Sequence, residues 1–190
     1  MANNVYTNVS IESSKNVIKE FSDKIITPEV EKSDWNQKST IVAENLFKLI
    51  YDDYPEEYSR EWNTENLGTK WCFVHDWQLD DDTIDLTFDS AWYPPDELFH
   101  KLAEHFKKFG DFEMEATSED EAYQNVSGGY ANQHGSEFIV EDDNIPPYPD
   151  DEDFDSQEKH DEAIEEFYDK IADMKDDLLN ECKQDLIMYP

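Results

Sequence analysis

A chain of 190 residues with 48 acidic and 15 basic side chains carries a formal charge of −33, yet 37% of it is hydrophobic and 14% aromatic, enough apolar material to bury a core where charge alone argues for disorder. The length fits one domain with an appendage. The charge excludes direct nucleic-acid binding, which depends on Lys and Arg displacing counterions from a polyanion, and it excludes anionic membrane surfaces for the same reason.

No run approaches the roughly 18 apolar residues of a membrane span. The start, Met1-Ala2-Asn3-Asn4-Val5-Tyr6, has neither the basic residues nor the apolar stretch of a signal peptide, so a cytoplasmic setting is expected. The two cysteines, Cys72 and Cys182, are too far apart in sequence for a CxxC site or a disulfide framework and read as reduced thiols.

Val5, Thr7, Val9 and Ile11 alternate with Tyr6, Asn8 and Ser10, the two-residue period of a half-buried strand. Ser13 or Ser14 caps a helix whose apolar face is Val17, Ile18, Phe21 and Ile25, with Pro28 as its end. Residues 29–68 read as an insertion: a helix through Ile41, Ala43, Leu46, Phe47 and Ile50, then a long aromatic loop from Tyr51 to Trp62. Trp71, Phe73, His75, Trp77 and Leu79 alternate along a second strand, and Ile84, Leu86, Phe88 and Trp92 along a third. Asp80, Asp81 and Asp82 make the charged tip of the hairpin between them.

Pro94 and Pro95 suit the first turn of a helix, Asp96 and Glu97 favour its positive end, Leu98, Leu102, Phe106 and Phe109 are its stripe, and Gly110 is its stop. Phe112, Met114 and Ala116 alternate as a fourth strand. The order β-α-(insert)-β-β-α-β is the split βαβ pattern of an α+β, ferredoxin-like antiparallel sheet. Tyr123 to Glu141 reads as an extra hairpin in which Gly128-Gly129 and Gly135 are turns and Glu137–Val140 closes. Residues 142–157, acidic and carrying Pro146, Pro147 and Pro149, form a linker between the domain of residues 1–141 and a long acidic helix in 158–190.

Trp62, Asn66-Leu67-Gly68-Thr69-Lys70-Trp71 and Phe88-Asp89-Ser90-Ala91-Trp92-Tyr93-Pro94-Pro95 resemble the "W…NxGTKW…F(D/E)(T/S)AWxPP" pattern of the YubB-like ferredoxin-like domain family of phage and plasmid proteins. The resemblance covers about residues 3–141. It implies the ferredoxin-like fold and a mobile-element origin and brings no catalytic residues; the linker and last helix depart from its pattern.

No nucleophile with a base, phosphate loop or metal-ligand spacing is present, so no enzyme activity, cofactor or metal is expected. Asp80-Asp81-Asp82 and Asp150-Asp151-Glu152-Asp153 lack the glycine and final glutamate of a calcium loop. The five histidines read as surface or half-buried residues, and Trp62, Trp71, Trp77 and Trp92 as core.

Charge therefore dominates the functional reading. In the last helix Glu158, Glu162, Glu165, Glu166, Asp169, Asp173, Asp176 and Asp177 recur at three- and four-residue intervals and so form rows. With Asp161, Glu181 and Asp185 and four lysines the helix nets −7, roughly one charge per 6 Å against about one per 1.7 Å in duplex DNA. These acids, with Asp80, Asp81 and Asp82, are the expected protein-binding residues. The expected partner is a basic DNA-binding protein of the host, such as a restriction, CRISPR, nuclease or transcription component, inhibited in the host cytoplasm by DNA mimicry. The alternatives are an acidic structural or assembly module, and charge that only solvates the surface or adapts it to salt. The stripe Ile164, Phe167, Ile171, Met174 and Leu178 needs a partner surface: its own domain, or a second copy in a homodimer.

Overall fold

Val5, Val9 and Ile11 are fully or almost fully buried while Tyr6 and Asn8 between them face outward, as the alternation requires of a strand with one face on a core. They belong to β1 (Asn4–Ser13), the centre of a six-stranded sheet in the computed structural model, which describes residues 3–57, 59–150 and 154–188. Helices α1 (Lys15–Ile25), α2 (Pro28–Lys32), α3 (Trp35–Ile50) and α4 (Arg60–Leu67) follow. The chain continues through β2 (Cys72–Leu79), β3 (Thr83–Ala91), α5 (Asp96–Lys107), β4 (Phe112–Asp120), β5 (Val126–Asn132), β6 (Gly135–Glu141) and α6 (Gln157–Met188).

The sheet order is β2-β3-β1-β4-β5-β6 with every neighbour antiparallel. Its first four strands, joined by crossovers carrying α1 and α5, are the ferredoxin-like arrangement expected from the split order. Burying Ile18, Phe21 and Ile25 of α1, Val42, Leu46 and Phe47 of α3, and Leu98, Leu102 and Phe106 of α5 against Ile84, Leu86, Phe88 and Met114 makes one core on one face of the sheet. The extra hairpin, β5–β6, widens that sheet beyond β4.

The insertion holds more structure than one helix and a loop. Pro28 does not merely end α1; it is the first residue of α2, where its missing N–H costs nothing. Tyr51–Trp62 is not one loop, because α4 starts at Arg60, with the Ser59 side chain accepting from Trp62 N at 3.1 Å. It ends on Gly68 in the left-handed conformation (φ 74°), where an added Cβ would also collide with Asp96.

Strand β2 differs from its expected phase. Cys72 and Val74 are buried and His75 is exposed, the opposite phase to the one expected, and the ladder then slips between Val74 and Asp76. That bulge at His75 returns Trp77 to the core side, opposite Leu86, where a strict two-residue period fails. Gly128-Gly129 are not a turn either; they lie inside β5, Gly128 opposite Ile139 and Gly129 opposite Phe138. Phe109 and Trp92, expected in the core, are 42% and 47% exposed. Of the histidines, His105 and His160 are buried rather than at the surface.

The two sequence blocks that carry the resemblance meet in space. Thr69 Oγ1 donates to Ala91 O at 2.7 Å and accepts from Ala91 N at 3.1 Å, Lys70 Nζ lies 4.7 Å from the Trp92 ring centre, and Ser90 Oγ donates to Tyr93 O at 2.8 Å. Their role is to tie the start of β2 to the end of β3, a structural one.

Candidate protein-binding surface

The long helix α6 lies across the back of the sheet, the face opposite the main core, over β5, β6 and β4. Two features of β5 make room for it. A Cβ on Gly128 would sit on the backbone of Leu178 and Leu179, so only glycine allows this approach. Val126, fully buried, receives Phe167 and Ile171, with Met174 and Leu178 packed around them. The apolar stripe of α6 is thus covered by the chain's own sheet.

Polar contacts fix the helix's rotation. Lys175 and Lys183 turn toward the sheet and bridge Glu119 and Glu115 of β4 at 2.7 and 2.6 Å. Near the N-terminal half, Tyr123, Tyr148, Phe167 and Tyr168 form an aromatic cluster, Tyr148 stacking on Tyr123 at 6.0 Å and 10°. Burial first, and the hydrogen bond with Tyr168 next, push the Tyr123 hydroxyl well above its ordinary value. Ile145 and Tyr148 of the acidic linker contact this end of the helix. The linker's Asp151, Glu152 and Asp153 lie outside the described residues.

With the stripe turned inward, the opposite face of α6 is acidic. All eight residues expected there, Glu158, Glu162, Glu165, Glu166, Asp169, Asp173, Asp176 and Asp177, are exposed, as are Asp161 and Glu181. Only two of the four lysines, Lys159 and Lys170, share that exposure. Lys170 lies 2.8 Å from Glu166 and holds its carboxyl below the usual range. Ten exposed carboxylates against two exposed lysines from Glu158 to Glu181 leave roughly one net charge per 4.5 Å at about 1.5 Å per residue, denser than the helix as a whole but sparser than the about 3.4 Å of one DNA strand and the about 1.7 Å of the duplex.

Asp80, Asp81 and Asp82 are also exposed, but the structure does not bring them to the helix's acidic half. Their hairpin joins β2 and β3 on the far side of the sheet from β5 and β6. It sits beside Ser13, whose N–H donates to Asp82 O at 2.9 Å, while Asp81 pairs with Lys15 at 2.7 Å. Glu119, at the opposite end of the strands, marks the neighbourhood of Lys175.

A feature not anticipated from sequence is a cleft of about 270 Å³ between α3, the segment after it and the start of β2. The aromatic density of residues 51–62, read as a loop, was its one signal. Among the described residues no three His, Cys, Asp or Glu side chains gather as a metal site, and no helix is long and apolar enough to cross a membrane. Cys72 and Cys182 are buried free thiols, and burial pushes Cys182 up to about 11.

No curated protein and no solved structure matches the chain. A family model described as "Ferredoxin-like domain in Api92-like protein" matches residues 57–169. The match starts after α3 and runs through the linker into α6, so the linker and the first part of the helix lie within it. With its four-strand split βαβ core and more than half its length matched, the chain belongs to the family of ferredoxin-like domains in Api92-like proteins.

Proposed function

We propose that this chain is a non-enzymatic acidic accessory protein, of the phage or plasmid kind that the YubB-like motif suggests, which binds a basic DNA-binding protein of its host and inhibits it by standing in for DNA. The observation that carries the reading is the division of α6: apolar stripe and two lysines on the sheet, ten carboxylates outward. A helix face of carboxylates docked on the sheet offers Lys and Arg side chains the charge-assisted partners they make with phosphates.

The second reading, an acidic assembly module without mimicry, draws support from the separation of Asp80, Asp81 and Asp82 from α6, since one continuous DNA-like surface would join them.

The test uses a basic DNA-binding protein retained from host lysate by the immobilised chain and a labelled duplex in a competition assay. Glu162→Lys, Glu166→Lys, Asp169→Lys and Asp173→Lys together, all exposed, raise the inhibitory concentration by at least about tenfold, loss of charge-assisted contacts being worth roughly 1.4 kcal/mol per decade. Reversing Asp80, Asp81 and Asp82 leaves it unchanged. Unchanged competition with the helix variant, together with loss in the hairpin variant, defeats the assignment to α6.

A further inference from the structure

The cleft beside β2 is walled by two aromatic pairs. Phe47 of α3 and Tyr54 of the following segment have ring centres 5.6 Å apart; Trp71, just before β2, and Phe73 within it stack at 5.4 Å and 17°. Glu44, Glu56 and Glu57, all exposed, supply carboxylates at its rim. Lys48 is the one cation among the described residues lining it, and its ammonium lies 3.3 Å from Glu44.

A volume of about 270 Å³ falls below the roughly 300–1,000 Å³ of pockets for drug-sized ligands and cofactors, so the occupant is the size of a side chain. Aromatic faces attract a cation through their quadrupoles, and rim carboxylates accept its hydrogen bonds. A planar guanidinium satisfies both walls at once, stacking on rings while its fork of donors reaches carboxylates; an ammonium offers only a point charge and a quaternary amine no donor. The Tyr54 hydroxyl is pushed above its ordinary value by burial first and by Glu44 second, which places that carboxylate close to the ring.

We propose that this cleft receives an arginine side chain of the basic protein partner; the proposal rests on the binding function above for the partner's class and adds a specific anchor to its diffuse charge.

The experiment titrates N-acetyl-arginine methylamide into the full-length, isotope-labelled chain and follows backbone amides of residues 44–57 and the Trp71 indole by NMR. The expected result is saturable shifts confined to the cleft, with N-acetyl-citrulline methylamide, equal in shape but neutral, and tetramethylammonium chloride each binding at least about tenfold more weakly. Glu44→Gln, Glu56→Gln and Glu57→Gln together, surface changes that keep the fold, should weaken the arginine compound by a similar factor. Equal binding of the citrulline compound, tighter binding of tetramethylammonium, or no saturable shift overturns the proposal. If the arginine compound fails while the intact chain still displaces DNA from its target, only the cleft assignment falls. If it binds while DNA is not displaced, the mimicry reading falls and the cleft stands.

Discussion

His105 shows how a single residue's surroundings set a stability term. Its ring sits on α5 among Phe21, Phe106 and Phe109 at centre distances of 5.3–5.8 Å and is 8% exposed. Burial, then the positive charges of Lys108 and Lys24, lower it to about 4 from an ordinary 6.5. Between those values the unfolded chain binds a proton that the folded chain refuses. Stability from this group is therefore fully present above pH 6.5 and is lost as pH falls toward about 4. Protonation of the many carboxylates relieves self-repulsion over the same range, so the informative quantity is a difference. His105→Leu should have a flatter stability profile than the wild-type chain between pH 6.5 and 4 in urea titrations; parallel profiles would mean that His105 takes up protons freely in the folded state.

At the scale of elements, the docking of α6 depends on one missing side chain. Gly128→Ala places a methyl group against the backbone of Leu178 and Leu179, an overpacking that costs about 1–3 kcal/mol. Cys182 reports on the docking directly, since it is fully buried with Sγ 3.4 Å from Gly128 O. The alanine variant should raise the labelling rate of Cys182 by a thiol reagent, read at peptide level by mass spectrometry, while Cys72 in the main core stays protected. Equal labelling of Cys182 in both proteins would contradict this packing.

The same elements show what could be read from sequence. Alternation in β1, β3 and β4 and the amphipathic faces of α1 and α5 reflect burial on one side only, so the periods of two and of about 3.6 survive into the structure. Helix α4 escaped because eight residues give too short a periodic pattern, although Ser59 and Gly68, its caps, were visible. In β2 the aromatic alternation hides the true phase, because Cys72 and Val74 face the core while Phe73 is half-buried, and the bulge after Val74 brings Trp77 back to the core side. Gly128 and Gly129 look like a turn in sequence because the need for glycine there comes from elements distant in sequence: α6 for Gly128, and Phe138 and Phe99 for Gly129. The acidic rows of α6 were legible to the residue. The apolar stripe that meets the sheet was legible too; that the chain's own sheet covers it, and that Lys175 and Lys183 turn inward, depended on tertiary packing.

For the whole molecule, a charge of −33 is an argument about association and solubility until geometry concentrates it. Here a ferredoxin-like sheet anchors a 32-residue helix along its back, and the aromatic cluster of Tyr123, Tyr148, Phe167 and Tyr168 holds the helix's acidic half in place. Such a surface acts through a screened field with a Debye length of about 8 Å at physiological ionic strength. The most direct measurement is sedimentation velocity of the captured basic target with duplex DNA and this chain at low salt. If α6 takes the place of DNA, the target sediments with one or the other and never with both, because both need the same basic side chains. A stable complex containing target, DNA and this chain together would contradict the account.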